Sequence, residues 1–435
     1  MRFKRPLVIA AVVTATLAIS NFTPSAITQS DFSENYPPVV CPATPSGESS
    51  AISVPSTQTG SRVLGKKTTI YKPARTLRLM QGSSPTILDT KNMTSPVWQI
   101  KKGVWAGATI CSAPAISQWF VGGAADVTSK GKLILINSGL SEAIIDVEIW
   151  SESGARPPKV VTLKANSSVV QNLDSLDPGA KRLALHIAPR SGRVNAFLVD
   201  ERGRGLKSLG GDMVNASPDP TKVNVIPAIP HIKRSGKALG HTLRVIAPGD
   251  VDARISVELI STKGSFIPVG FDDRVIKAGV VTEIALNPQL APSIFSLRIT
   301  SDRPIVSSVY SSTYAESKSD FVWSTSTSEM QEYSLAVSGL APTLVFSGDE
   351  ISVSISILYT NKKEKKFTVT GEGIATFKVP DNARTINFTK VGDKIGGGAL
   401  ISTQSGYGYF PLNPGSEISR VLLPSANIRD LNQKC

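Results

Sequence analysis

The chain has little of what hydrolytic or metal chemistry usually needs. Its 435 residues include three histidines, and His231 and His241 are ten positions apart, without the spacing of a metal-ligand pair. His186 lies in the apolar run 183–187, where a structural role is the simpler interpretation. The sequence contains no Gly-x-Ser-x-Gly elbow, phosphate-binding loop, Cys-x-x-Cys pair or zinc-protease motif. We therefore predict no catalytic residue, no cofactor and no metal site.

Paired carboxylates of the glycosidase type are also hard to find. The pairs Asp200-Glu201 and Asp272-Asp273 are adjacent in sequence. Adjacent residues of a strand point to opposite faces, so neither pair forms a two-carboxylate site by itself. No Asp-x-Asp-x-Asp spacing supports a calcium site. A hydrolase whose acids converge only in the folded chain stays open as an alternative.

Long apolar runs are almost absent, with one exception near the N-terminus. Three basic residues precede an apolar run from Leu7 to Ile19, which is 13 residues long. A bilayer-spanning helix needs about 20 apolar residues, so this run is typical of a signal peptide, with an uncleaved anchor as the alternative. Cleavage could follow Ser20 or Ala26. The rest of the chain is expected to be extracellular or in the cell envelope, associated with a membrane only through its N-terminus.

Cysteine is scarce, which is compatible with an exported chain that uses one disulfide. Cys41 and Cys111 both fall in the N-terminal quarter and could pair, closing a loop of 70 residues. A loop of that size would stabilise the fold by about 4 kcal/mol in the chain-entropy model, although two unpaired thiols remain the alternative. Cys435 is left over at the C-terminus.

Alternation of apolar and polar residues is the strongest pattern present. In the stretch 253–259 every second residue is apolar, and the intervening residues are Arg254, Ser256 and Glu258. The same alternation occurs at 145–149 and 353–357. Successive side chains of a strand face opposite sides, so each stretch predicts a strand with one buried face. Stretches of helical period are few.

We predict an all-β chain of tandem immunoglobulin-like β-sandwich modules that follow an N-terminal signal or anchor helix. The first and second modules show turn residues in register, and their opening-to-closing spans are 61 and 62 residues (133–194 and 243–305), which indicates an internal repeat. The predicted regions are a signal or anchor at 1–26, a flexible stem at 27–60, an N-terminal β region at 61–127, a first module at 128–228, a second at 229–334 and a divergent third at 335–435.

Two groups of residues are candidates for ligand contact. Trp98, Trp105 and Trp119 lie close together in sequence and could stack on sugar rings, although a packed core near a disulfide is the commoner use of tryptophan. The basic run 362–366 could contact an anionic polymer, although a solvated hairpin tip would have the same composition. The lysines of that run are Lys362, Lys363, Lys365 and Lys366.

The net charge of +13 is spread along the chain and favours weak affinity for anionic envelope material. Nucleic acid is not an expected partner, because no aromatic residues alternate with the lysines of the basic run and the protein is predicted to be exported.

The chain contains several short motifs, which are Val-Cys-Pro at 40–42, Trp-Phe-Val-Gly-Gly at 119–123, Leu-Ile-Leu-Ile-Asn at 133–137, Pro-Ile-Val at 304–306 and Asp-Phe-Val-Trp at 320–323. Together these motifs resemble a family of exported actinobacterial proteins catalogued only as a domain of unknown function. The resemblance implies export, repeated β modules and recurring cysteines near the stem and near the tryptophan. It assigns no activity. The Ser-rich third module and Cys435 depart from that pattern.

The function expected from these observations is that of a non-catalytic exported cell-envelope protein, a scaffold or binding surface of tandem β modules. Its partner would be a cell-wall or envelope polymer or an envelope protein. A glycan-binding accessory of envelope polysaccharide assembly and a secreted hydrolase are the alternatives.

Overall fold

A computed structural model of the protein describes residues 32–55, 59–66, 69–70, 78–291, 293–417 and 419–422. Apart from one 3-10 turn, the elements of these residues are all strands, so the predicted all-β fold is confirmed. No helix in these ranges is long and apolar enough to cross a bilayer. The predicted signal or anchor at 1–26 and Cys435 lie outside the described residues.

The chain divides into two compact units. The first comprises Met1–Tyr36 and Ile418–Cys435, and its described strands β1 (Phe32–Asn35) and β35 (Ser419–Leu422) pair antiparallel. The second unit, Pro37–Glu417, contains all the other strands.

The N-terminal region of the second unit forms two small sheets around a disulfide. The sheet orders are β2-β7-β4-β5 and β10-β9-β3-β6. Cys41 and Cys111 form the disulfide, and both lie in a wholly apolar cluster with Val39, Ile52 and Leu88. The strands are β2 (Val39–Cys41), β3 (Ser49–Ser53), β4 (Gly60–Val63), β5 (Thr69–Ile70), β6 (Arg78–Met80), β7 (Thr86–Asp89), β8 (Met93–Thr94), β9 (Pro96–Lys101) and β10 (Trp105–Ile110).

The first module is a sandwich of two four-stranded sheets, ordered β11-β16-β13-β14 and β15-β12-β17-β18. β11 lies within the range predicted for the preceding N-terminal region, and it pairs with β16 as an edge strand. The elements are β11 (Gln118–Val121), β12 (Lys132–Asn137), β13 (Ala143–Ser151), β14 (Gly154–Leu163), β15 (Ser167–Asn172), the 3-10 turn (Leu173–Ser175), β16 (Leu183–Ser191), β17 (Asn195–Arg204) and β18 (Lys207–Val214).

The second module builds both of its sheets on one long strand, β27. The N-terminal part of β27 pairs with β19 and β23, and its C-terminal part pairs with β22 and β28. The strands are β19 (Thr221–His231), β20 (Lys233–Arg234), β21 (Lys237–Ala238), β22 (His241–Ile246), β23 (Ala253–Ser261), β24 (Gly264–Phe266), β25 (Arg274–Ile276), β26 (Thr282–Leu286), β27 (Ser293–Ala315) and β28 (Lys318–Thr325).

The first two modules share one strand order. The first sheet of the first module has the order β11-β16-β13-β14. The equivalent sheet of the second module has the order β19, the N-terminal part of β27, and β23, and β23 then pairs with both β24 and β25. The second sheet of the first module has the order β15-β12-β17-β18, and the second module repeats it as β26, β22, the C-terminal part of β27 and β28. The alternating residues 145–149 and 253–259 therefore occupy the same strand of each sandwich, and their apolar members are buried.

The third module is one sheet that contains the N-terminal region's β8. β30 pairs with β31 along most of its length and with β33 and then β32 on its other side. β8 pairs parallel to β29, so the N-terminal region and the third module share a sheet. The strands are β29 (Ser334–Ala336), β30 (Thr343–Tyr359), β31 (Glu364–Lys378), β32 (Ala383–Val391), β33 (Gly396–Thr403) and β34 (Gly406–Pro411).

Apolar clusters also lie between the modules. Trp119 and Trp150 of the first module pack with Ile246 and Val306 of the second. Another cluster joins Val322 of the second module to residues of the third, including Tyr409. Burial of apolar surface is the main favourable term in folding, so these clusters bind the modules of the second unit into one body.

Candidate functional site

The structure encloses the three tryptophans predicted for sugar stacking. Trp105 has no exposed surface, and Trp98 and Trp119 are 6% exposed. Trp119 stacks on Trp150 and on His186, with ring centroids 5.2 and 4.2 Å away. A sugar needs a free ring face, and these rings lie in cores and between modules, as the packing alternative expects.

The predicted basic run lies at the tip of the β30–β31 hairpin. All four of its lysines are exposed, and Lys362 has the positive φ of a tight turn. The Lys365 ammonium lies 5.0 Å from the centre of the Phe367 ring. The hairpin therefore presents a concentrated positive charge to solvent.

Two of the three histidines meet, although their sequence spacing gave no reason to expect it. His231 Nδ1 lies 3.0 Å from His241 Nε2, and His241 Nδ1 lies 2.9 Å from Ser311 Oγ. Burial, together with the neighbouring His231, lowers the pKa of His241 to about 4. Within the described residues no three His, Cys, Asp or Glu side chains could together hold a metal ion.

The third histidine joins a polar relay that the sequence did not reveal. Trp119 of β11, His186 of β16 and Glu148 of β13 are cross-strand partners, so they lie side by side on one face of the sheet. Ser117, two residues before Trp119, falls on the same face because side chains alternate along a strand. Ser117 Oγ lies 2.9 Å from His186 Nε2, and His186 Nδ1 lies 2.8 Å from Glu148 Oε2.

A second carboxylate completes the relay at the serine. The Ser117 hydroxyl donates to Asp219 Oδ1 over 2.5 Å. Because that hydroxyl has a single hydrogen, His186 Nε2 must be the donor to Ser117 Oγ in this arrangement. Nδ1 must also be a donor, since Glu148 is an acceptor. The four groups thus form a continuous chain of hydrogen bonds in the order Asp219, Ser117, His186 and Glu148.

Asp219 also lines a groove of about 660 Å³ beside the relay. The groove lies where β19 and β27 of the second module meet the third module. None of its lining residues that the structure describes is aromatic, and most carry hydroxyl, amide or charged groups. They include Thr221, Asn224, Thr300, Ser326, Thr327 and Ser328.

The charges of the groove are balanced. Lys222, Arg298 and Lys394 oppose Asp219, Glu329 and Asp349. Arg298 contacts Asp349 over 2.6 Å and Glu258 over 3.6 Å. A groove with equal numbers of both charges and many hydroxyls suits an uncharged polar ligand better than a highly charged one.

Buried acids lie where β10, β18, β28 and β34 meet. Asp320 Oδ1 accepts from the Gly211 amide over 3.0 Å, and Asp212 Oδ2 accepts from the Trp323 amide over 2.7 Å. Burial raises the pKa of Asp320 to about 7 and raises the pKa of Asp212 well above its usual range. These acids are packed within the body and support its architecture rather than a surface site.

Comparison with solved structures gives distant similarities. A crystal structure of Thermotoga maritima 1070 matches with 14% identity over 25% of this chain and 95% of its own, with a TM-score of 0.21. The structure of infectious bursal disease virus Gt strain matches with 11% identity over 96% of this chain and 92% of its own, with a TM-score of 0.12. Neither similarity is close enough to carry an argument.

Comparison with protein families gives a longer match. No curated protein matches the chain. The model of a family of unknown function (DUF5719) matches residues 82–380, which include β7 to β10 of the N-terminal region, both sandwich modules and β29 to β31 of the third module. The chain belongs to this family of unknown function, DUF5719.

Proposed function

We propose that the protein is an exported cell-envelope protein whose β modules form a scaffold and binding surface for an envelope polymer. The groove beside Asp219 is the observation that carries this proposal, because it is a preformed concave site with many hydrogen-bonding groups. Its balanced charge favours a neutral, hydroxyl-rich chain such as an envelope glycan. The buried disulfide is compatible with export. The shared strand order supports an internal repeat of the first two modules.

Surface plasmon resonance against purified wall glycans, anionic lipid vesicles and envelope proteins tests the proposal. Ser328 lines the groove and is exposed, so Ser328→Trp should fill the site and weaken binding at least ~10-fold, since the ligand would lose its hydrogen-bonding partners. Ser265→Trp is a matched control, because Ser265 is exposed on β24 outside the groove lining. Equal binding by both variants, or no binding of the wild type to any ligand, would contradict the proposal.

The exposed lysine tip supplies a second contact for the same envelope role. Replacing Lys362, Lys363, Lys365 and Lys366 by Gln should weaken binding to anionic lipid vesicles, and the effect should fade as salt is raised. Vesicle sedimentation at low and high salt measures it. Unchanged sedimentation at low salt would show that the tip is only a solvated turn.

A further inference from the structure

The relay contains the groups of a serine nucleophile in hydrogen-bonding contact. Ser117, His186 and Glu148 come from or adjoin three neighbouring strands, and their contacts of 2.9 and 2.8 Å have the lengths of nucleophile–base and base–carboxylate hydrogen bonds. Such trios are recognised by geometry and not by sequence order, because the same arrangement occurs on unrelated folds.

We propose that Ser117 is a latent nucleophile for acyl esters, with His186 as its base and Glu148 as the residue that positions the base. Asp219 keeps it latent. The Ser117 hydrogen is donated to Asp219, so His186 Nε2 donates to Ser117 Oγ and has no free electron pair with which to accept a proton. Loss of the Asp219 contact frees the hydroxyl hydrogen. His186 Nε2 releases its proton to water, and the ring, still donating from Nδ1 to Glu148, then accepts the hydroxyl hydrogen at Nε2.

The chemistry of the released state is balanced within these residues and the substrate. Ser117 Oγ forms a bond to the ester carbonyl carbon while its proton passes to His186 Nε2. The bond from that carbon to the alcohol oxygen breaks, and the imidazolium returns the proton to the alcohol. Water then attacks the acyl-serine with His186 again as base, which releases a carboxylic acid and restores Ser117.

The position of Asp219 also explains how the nucleophile would be reached. Ser117 is half-buried, whereas Asp219 is exposed and lines the groove. A substrate that enters the groove and takes Asp219 away from Ser117 both uncovers the serine and frees its hydrogen. The assignment of Ser117 does not rest on which polymer the groove binds, because a small probe tests it directly.

The experiment uses a fluorescent fluorophosphonate on the full chain near neutral pH. The probe forms an oxygen–phosphorus bond to an activated serine and loses fluoride. Asp219→Ala should react at least ~100-fold faster than the wild type, the size typical of general-base assistance. Mass spectrometry should locate the adduct on Ser117. The double variants Ser117→Ala/Asp219→Ala and His186→Gln/Asp219→Ala should stay unlabelled.

The chain offers a matched control for the loss of a serine–aspartate contact. Ser256 donates to Asp272 over 2.5 Å in the same way, and among the described residues its hydrogen-bond partners include no histidine. Asp272→Ala should therefore stay as unreactive as the wild type. Asp219→Asn is a second test if the alanine variant folds poorly, because an amide can donate to Ser117 Oγ. Reaction of the folded Asp219 variants no faster than Asp272→Ala, or labelling that survives loss of Ser117, would overturn the proposal.

Discussion

The buried guanidinium group of Arg244 links the first module to the second. Arg244 has 1% of its side chain exposed, and its guanidinium donates to Glu283 over 2.7 Å and to the Gly123 carbonyl over 2.6 Å. Those two acceptors lie in different modules. Arg244 therefore fixes the second module against the first by hydrogen bonds, in addition to the apolar packing around Trp119.

Arg244→Met should be destabilising, because it leaves the buried Gly123 and Leu183 carbonyls without this donor and leaves Glu283 with its contact to Arg182. A buried acceptor left without its donor costs about 1–3 kcal/mol. Arg254→Met is the control, since the Arg254–Asp273 pair is more than half exposed on both sides and should change stability by less than about 0.5 kcal/mol. Urea unfolding at neutral pH measures both. Similar losses in the two variants would show that Arg244 is not a structural link.

The buried carboxyl group of Asp320 should make the fold less stable as pH rises, whereas most carboxyl groups have the opposite effect. Its pKa in the folded chain is about 7, above the ordinary 3.8, because the carboxyl is buried. Between these values the folded state holds a proton that the unfolded state has released. The contribution of Asp320 to the free energy of unfolding therefore falls as pH rises from 3.8 to about 7, by at most about 1.4 kcal/mol per pH unit.

The contribution of His241 to stability changes with pH in the opposite direction over part of that range. Its pKa is about 4 in the fold and 6.5 when unfolded, so its contribution is present above 6.5 and lost as pH falls towards 4. Asp320→Asn should remove the carboxyl component alone, and the difference in unfolding free energy between wild type and variant should change steadily between about pH 4 and 7. A constant difference would contradict the assignment.

At the scale of elements, the disulfide ties together the two small N-terminal sheets. Cys41 ends β2 in one sheet, and Cys111 directly follows β10 in the other. β2 is three residues long, too short to hold its position by its own hydrogen bonds. The covalent link and the apolar cluster around it therefore determine where this strand lies.

Replacing both Cys41 and Cys111 by Ala should lower the free energy of unfolding by about 4 kcal/mol, because the crosslink closes a loop with a sequence separation of 70. Guanidinium unfolding of the oxidised protein gives the value. Cys435→Ala is the control, since the disulfide does not use that cysteine, and it should unfold like the wild type. A double variant as stable as this control would show that packing alone holds β2.

At the scale of the whole second unit, the modules should unfold together. Each module has its own core, yet apolar clusters also join neighbouring modules, and β8 is shared with the third module's sheet. Loss of one module would expose apolar surface on the next, so separate unfolding is unfavourable.

Differential scanning calorimetry should accordingly show one transition for the second unit, with van't Hoff and calorimetric enthalpies in agreement. Trp150→Ala should broaden or split that transition, because the ring lies between the first and second modules and its loss costs about 3–5 kcal/mol. Two or three resolved transitions in the wild type would instead indicate independent modules.

The sequence predicted the fold better than the candidate site. Alternation along 145–149 and 253–259 reports which side chains are buried, and this suffices for strands and sandwiches. The relay depends on register. Ser117, Glu148 and His186 are separated by 31 and 38 positions, and only the pairing of β11, β16 and β13 brings them together. The sequence signal was weak, because Glu148 and His186 only alternate with buried apolar residues along β13 and β16, and Ser117 precedes β11.

The groove was hidden from sequence for a similar reason, because its lining comes from separate stretches near 219–225, 298–300, 326–329 and 394–396. The tryptophans illustrate the opposite difficulty. Their clustering in sequence suggested a shared surface, whereas Trp98 and Trp119 lie in different sheets and belong to different apolar clusters. Proximity along the chain says little about proximity in a folded β protein, where most contacts are long-range.

The two ends of the second unit lie against each other. Ser416 Oγ donates to the Pro37 carbonyl over 2.8 Å, and the Gly415 amide donates to Thr94 Oγ1 over 2.7 Å. A stretching force applied at Pro37 and Glu417 would therefore act first across these few bonds at one place. The force would not pass through the sandwich modules in series. With the force applied at these two residues, the Ser416–Pro37 contact would open before any core is strained.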